Sequence, residues 1–260
     1  MWHLGYADQS LKYVNEGRVL SRQVLHPLTL LVFECDAGWL YHLCGLRQAA
    51  GEIVEHVIAL SAEHGNPFFI AWGHVLQGAA LAEQGKGAEG VALIRRGIDA
   101  FRDSGAVLMV PWFLGWLASA LGDAGKTEGG LTTLAEAMDL VSKNGDRHFE
   151  AELYRIKGKL LFKSLAQNQL PAIGDIALEA ASCFSSAIEV AQRQQAKFFE
   201  LRASMGLARL WQQQGKIAEA LKMLAKIYGW FTEGFDTADL KEAKALLDEL
   251  ESESSLKPIR

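Results

Sequence analysis

Gly125-Lys126-Thr127 has the ending of a phosphate-cradling loop, where backbone N–H groups surround phosphates and a lysine reaches between them. That chemistry also needs a glycine five residues before Gly125, and position 120 is Ala120. Gly85-Lys86 and Gly215-Lys216 recur at an equivalent phase of the chain, so the triplet reads as a turn. The seven histidines (His3, His26, His42, His56, His64, His74 and His148) include no His-x-x-x-His pair of the metalloprotease type. Cys35, His42 and Cys44 are the nearest approach to a ligand set, but Cys44 leaves the helix on a different face from the other two. No serine sits in a Gly-x-Ser-x-Gly elbow. Glu150 with Glu152, and Glu249 with Glu251, read as solvated surface acids. No nucleophile, base and orienting group converge by spacing, so the expectation is a chain that is not an enzyme and uses no cofactor or metal.

Binding is the remaining chemistry. A net charge of −5 argues against a nucleic-acid surface, which needs a basic face. Three cysteines, an odd number, suit reduced thiols packed as small apolar groups in a cytoplasmic protein. Met1-Trp2-His3-Leu4-Gly5 lacks the basic-then-apolar pattern of a secretory signal. No charge lies between Asp103 and Asp123, yet Gly105 and Pro111 interrupt that segment, so it is expected as a buried helix and the chain as membrane-free.

A repeat supplies the elements that position any binding residue. Gly45, Gly85 and Gly125 are spaced by 40 residues, and Gly65, Gly105 and Gly145 repeat the spacing with an offset of 20. Glycine is favoured just past helix C-termini, so two interleaved series imply two helices per repeat. Gly38, Gly78, Ala118 and Gly158 recur inside the first helices, with Gly206 after a longer gap. Gly38, Gly78 and Ala118 are each followed by a triplet on a second helix, Ala50-Val54-Val57, Gly90-Ile94-Gly97 and Gly130-Leu134-Ala137, with Ser10-Val14-Gly17 one period earlier and Ala180-Phe184-Ala187 after the long gap. This pattern resembles the tetratricopeptide repeat (TPR), lengthened from its usual ~34 residues. The expected fold is all-α, a right-handed TPR-like helical-hairpin solenoid with repeats of ~40 residues.

The chain is expected to form one such array over 1–260. It begins on a lone second helix at about 7–24, followed by pairs at about 28–44 with 47–63, 68–84 with 87–103, 108–124 with 127–143, 147–166 with 175–194, and 197–213 with 216–230. A last helix at about 238–252 starts after Thr237, a capping residue, with Asp239 in its first turn. An insertion, Gln167 to Gly174, should project from the rim, and the polar stretch Glu251 to Arg260 should fray. An array that opens on an unpaired second helix suggests the C-terminal piece of a longer protein; the alternative is a homodimer through that helix.

In this architecture the first helices line a concave groove. The positions that face it, counted from each small residue, are Trp39 and His42, then Trp72 and Trp112, then Glu152, Arg155, Lys159 and Lys163, then Glu200, Leu207 and Trp211. The groove would be aromatic toward one end and charged toward the other, suiting a peptide with an apolar stretch followed by charge. Trp72 and Trp112 have a second reading, as filling between repeats.

The stretch Tyr228-Gly229-Trp230-Phe231-Thr232-Glu233-Gly234-Phe235-Asp236-Thr237-Ala238-Asp239-Leu240, with Glu152-Leu153-Tyr154-Arg155, Gln194-Gln195-Ala196-Lys197 and Leu207-Ala208-Arg209-Leu210-Trp211, resembles the C-terminal TPR region of bacterial multidomain proteins of the adenylate/guanylate cyclase-like or predicted-ATPase type. The likeness is strongest from about residue 147 onward. It implies a sensor or scaffold array and carries over no binding residues; the motifs of the cyclase and ATPase domains are absent from this chain. The function expected is a protein–protein interaction scaffold or regulatory module of a signalling protein, with a partner segment, or upstream domains of the same polypeptide, in the groove. The alternative is a small-molecule-sensing regulatory domain coupled to an upstream ATPase or cyclase.

Overall fold

The structure, a computed structural model, describes residues 1–24, 26–166 and 173–256. The chain divides into two compact units, Asp8–Arg147 and His148–Arg260 together with Met1–Ala7, where the sequence reading expects a single array. Among the described residues every regular element is helical. Apolar residues recur at the helical period: Ile217, Ala220, Leu224 and Ile227 form one buried stripe on a single helix.

The first unit contains α1 (Ala7–Val24, whose first residue counts with the other unit), α2 (Pro27–Leu43), α3 (Arg47–Glu63), α4 (Pro67–Glu83), α5 (Gly87–Asp103), α6 (Val110–Asp123) and α7 (Thr127–Asn144). Helices pack in consecutive pairs, α2 with α3, α4 with α5 and α6 with α7, and the first helices also touch, α2 with α4 and α4 with α6. Glycines at 45, 65, 85, 105, 125 and 145 all have positive φ, between 62° and 84°, and reverse the chain after each helix. Contact between α4 and α5 is closest where glycines face each other. A Cβ on Gly78 would lie 2.8 Å from the Gly90 carbonyl oxygen, and one on Gly90 would lie 2.6 Å from that of Gly78. The charge-free segment around Pro111 is α6, with proline in its first turn, and among the described residues no helix is long and apolar enough to cross a membrane. Helix α1 is anchored on α2, because Arg18 and Arg22 both reach the fully buried Glu34, at 2.9 and 3.0 Å. Its other side leaves Tyr13, Val19, Leu20 and Val24 exposed.

The second unit contains a 3-10 turn (Trp2–Leu4), α8 (Glu150–Ala166), α9 (Ile173–Arg193), α10 (Lys197–Gln213), α11 (Ile217–Tyr228) and α12 (Ala238–Leu256). Here α8 pairs with α9 and α10 with α11, α8 touches α10, and α12 packs on α11 and α10. Phe184 of α9 fills the space left by two small residues at once: a Cβ would come within 2.9 Å of its ring from Gly158 and 2.4 Å from Gly206. Trp2 is buried and stacks on Phe198 at 4.7 Å, an attachment that the repeat pattern does not announce.

Two expectations change in this unit. Glu251 to Leu256, expected to fray, continue α12, where Gln212 of α10 donates hydrogen bonds to Glu249 and Glu253. The turn after α9 uses Gln195 at φ 56°, where the turns after α2 to α7 and after α10 use glycine. Gln195 makes the same pair of closing bonds, its N–H to the Gln192 carbonyl and that of Ala196 to Ala191. The expected projection of the insertion lies outside the described residues as far as 172, and Gly174 already belongs to α9. Residues 257–260 also lie outside them.

Candidate functional site

In the first unit the expected groove tryptophans converge, but into packing. Trp39 lies 6.3 Å from Trp72 and 5.5 Å from Trp112, Trp112 lies 5.5 Å from Trp116, and His42 lies 4.9 Å from Trp116 (ring centroids). Trp72 also meets Phe68, Phe101 and Phe113 edge-on. Trp112 is only 2 % exposed, so it is a core residue and presents no open wall. The cause is local. Trp116, one turn after Trp112, and Trp39 on α2 enclose its ring, and edge-to-face aromatic contact is favourable at these separations. Trp39, His42 and Trp72 stay part-buried. His42 lies 3.5 Å from Glu83 and borders a pocket of about 200 Å³ between α2, α3 and α4, with Gly38, Ala50, Val54, Leu76 and Gln77 in its walls.

In the second unit the expected residues separate into two groups. Arg155 and Lys159 line a pocket of about 290 Å³, joined there by Arg202 and Arg209 of α10 and by Asp239 and Glu242 of α12. Its apolar lining comes from Phe162, Phe184 and Met205. Glu152, read as a solvated acid and as a groove residue, is instead 6 % exposed. It accepts two 2.8 Å hydrogen bonds from Arg155, and Arg202 stands 3.5 Å away. Burial opposes its ionisation, but Arg155, followed by Arg202 and Lys159, holds the carboxyl below its ordinary range. Glu200 is likewise buried, at 7 %, and held by Lys197 and Gln192, each at 2.8 Å. Both carboxylates therefore position cations and are closed to a ligand. Lys163 and Trp211 are part-buried and do not line the pocket, and Leu207 is core.

Arg202 is the pivot of the cluster. It donates two hydrogen bonds to Asp239, at 2.8 and 2.9 Å, and its guanidinium carbon lies 4.9 Å from the centre of the Trp2 ring. Burial pushes the Asp239 carboxyl up despite Arg202. Arg209 and Glu242 form a more open pair at 3.1 Å, 42 % and 56 % exposed. Sequence reasoning missed Arg202 and Arg209 because they stand four residues before and three after Gly206, one step outside the positions chosen as groove-facing. A window one residue wider finds both. Asp239 had been assigned to its own helix's first turn, and nothing local signals a partner 37 residues away.

A third feature adjoins the same unit's 3-10 turn. His3 and His148 lie 4.9 Å apart (ring centroids), and Nδ1 of His3 is buried with no hydrogen-bond partner among the described residues. Burial, then His148, bring its pKa down to about 3. Cys35, Cys44 and Cys183 are buried thiols. Among the described residues no group of three or more metal-ligating side chains is placed to hold an ion.

No protein-family model matches this chain, and no curated protein matches it.

Proposed function

We propose that each unit is a TPR-like helical-hairpin array of the right-handed solenoid kind, and that the chain is an interaction scaffold, the regulatory module of a bacterial signalling protein, binding a partner segment along its first helices. Consecutive helix pairs with ~40-residue spacing support the architecture. The observation that carries the function is the α8–α10 pocket, where four cationic side chains stand over an apolar floor. Arginine and aromatic groups in a concavity are the usual anchors of interfaces. Selection from a random peptide library displayed on phage tests the reading. A convergent sequence is expected, losing its affinity for the purified chain when Arg209 becomes glutamate at unchanged helicity. Failure to converge, or peptides indifferent to that change, would contradict it.

The α2–α3–α4 pocket favours a second reading, a small-molecule-sensing domain. A polar imidazole and Gln77 facing a small-residue wall is the composition of a small ligand site. Thermal shift against a metabolite panel separates the two: a ligand whose shift disappears in His42→Ala would favour sensing.

A further inference from the structure

The second unit's pocket carries more than its sign of charge. Its lining holds Arg155, Lys159, Arg202 and Arg209 beside Asp239 and Glu242, with the buried Glu152 behind Arg155. Two of the guanidiniums are fixed in advance, Arg155 by its two bonds to Glu152, Arg202 by its two bonds to Asp239 and by the Trp2 ring. Groups already held in place lose little freedom when a ligand arrives. The Arg209–Glu242 pair differs, being open to water on both sides, so Glu242 exchanges readily for another carboxylate. Phe162, Phe184 and Met205 add apolar surface that an inorganic anion would leave uncovered.

We propose that this pocket takes an acidic side chain next to an apolar one from an extended partner segment, and that α12 holds the affinity down because Glu242 occupies Arg209. The proposal rests on the interaction-module reading and adds the partner's chemistry. Helix α12 stays docked throughout, since Leu240, Ala243, Leu246 and Leu250 are buried beneath it. Its carboxylate therefore tunes the pocket without the helix detaching.

Fluorescence anisotropy with a labelled peptide of alternating glutamate, leucine and phenylalanine, beside its glutamine counterpart, tests this, with inorganic phosphate as competitor. The acidic peptide should bind at least tenfold more tightly than the neutral one. Lys159→Glu should weaken it about tenfold, and Glu242→Gln, at the open rim, should tighten it several-fold. Millimolar phosphate should displace it only partly. Equal affinity for the two peptides, no effect of Glu242→Gln, or complete displacement by phosphate would each overturn the proposal. If phage selection converges on neutral or basic peptides, the module reading survives and this inference fails. If it yields no sequence at all, both fail.

Discussion

The first helices of the two units carry the same register of small residues and meet different ends. In the first unit α2, α4 and α6 place Trp39, Trp72, Trp112 and Trp116 in one edge-to-face aromatic cluster, and only part of it reaches the surface. In the second, α8 and α10 place arginines and a lysine around a pocket whose buried carboxylates fix them. Aromatic rings at groove-facing positions satisfy one another by dispersion, and the groove fills. Charged groups cannot collapse in that way, because each needs a counter-ion or water. Like repeats therefore yield an aromatic seam in one unit, with a smaller pocket beside His42, and a charge-lined pocket in the other.

The largest expected effect breaks the seam. Trp112→Ala should destabilise the first unit by ~3–5 kcal/mol, the range for emptying a large aromatic site, with hydrogen exchange accelerating in α4 and α6 and little changed in α10. Equal acceleration in α10 would remove the contrast. The second effect breaks the charge cluster. Arg202→Ala strands the buried Asp239 and weakens the hold on Glu152, for a loss of ~3 kcal/mol confined to the second unit. Loss of the Trp2 contact would accompany it, visible in Trp fluorescence.

Dependence on pH should sharpen the difference further. His3 has its folded pKa depressed to about 3, so its contribution is present above the ordinary histidine value of ~6.5 and is lost as pH falls toward 3. Between pH 7 and 5 His3 alone should cost the second unit ~2 kcal/mol, a loss that His3→Phe should remove. Glu152, also depressed, adds a loss as pH falls through and below the ordinary glutamate value, whereas Asp239, shifted upward, acts in the opposite sense above the ordinary aspartate value. Titrating exchange protection of α10 against that of α4 measures it. The smallest effect concerns turns. Gln195 holds a left-handed conformation where the turns after α2 to α7 use glycine, so Gln195→Gly should stabilise the second unit by ~0.5–1 kcal/mol in a denaturant melt. A loss instead would mean that the Gln195 side chain contributes to packing.

Much of the fold was legible because glycine spacing is a direct consequence of helix termination. The small–large–small triplets likewise record contacts: Ile94 against Gly78 and Phe184 against Gly158 are the packing that the spacing implies. The division into two units was not legible, since the repeat runs on through residue 147 without a break in period. The pocket holds Arg155 and Lys159, which the groove positions include, and Arg202 and Arg209, which they omit, because residues three and four away from a given position share one helical face and only one of each was chosen. Trp112 misled for another reason. Whether a groove-facing ring is exposed depends on rings from other helices, here Trp39 as well as its neighbour Trp116, and periodicity within one helix does not encode them. Trp2 belonged to no repeat, so its place over Arg202 had no sequence signal.

The most direct test is a hydrogen–deuterium exchange footprint of the chain with a peptide selected on it. The account predicts new protection in α8 and α10 around Arg155, Lys159 and Arg209, with exchange in α2, α4 and α6 unchanged. Protection centred on Trp39 and Trp72 instead would show that the aromatic seam is the binding surface and would contradict the assignment made for the two units.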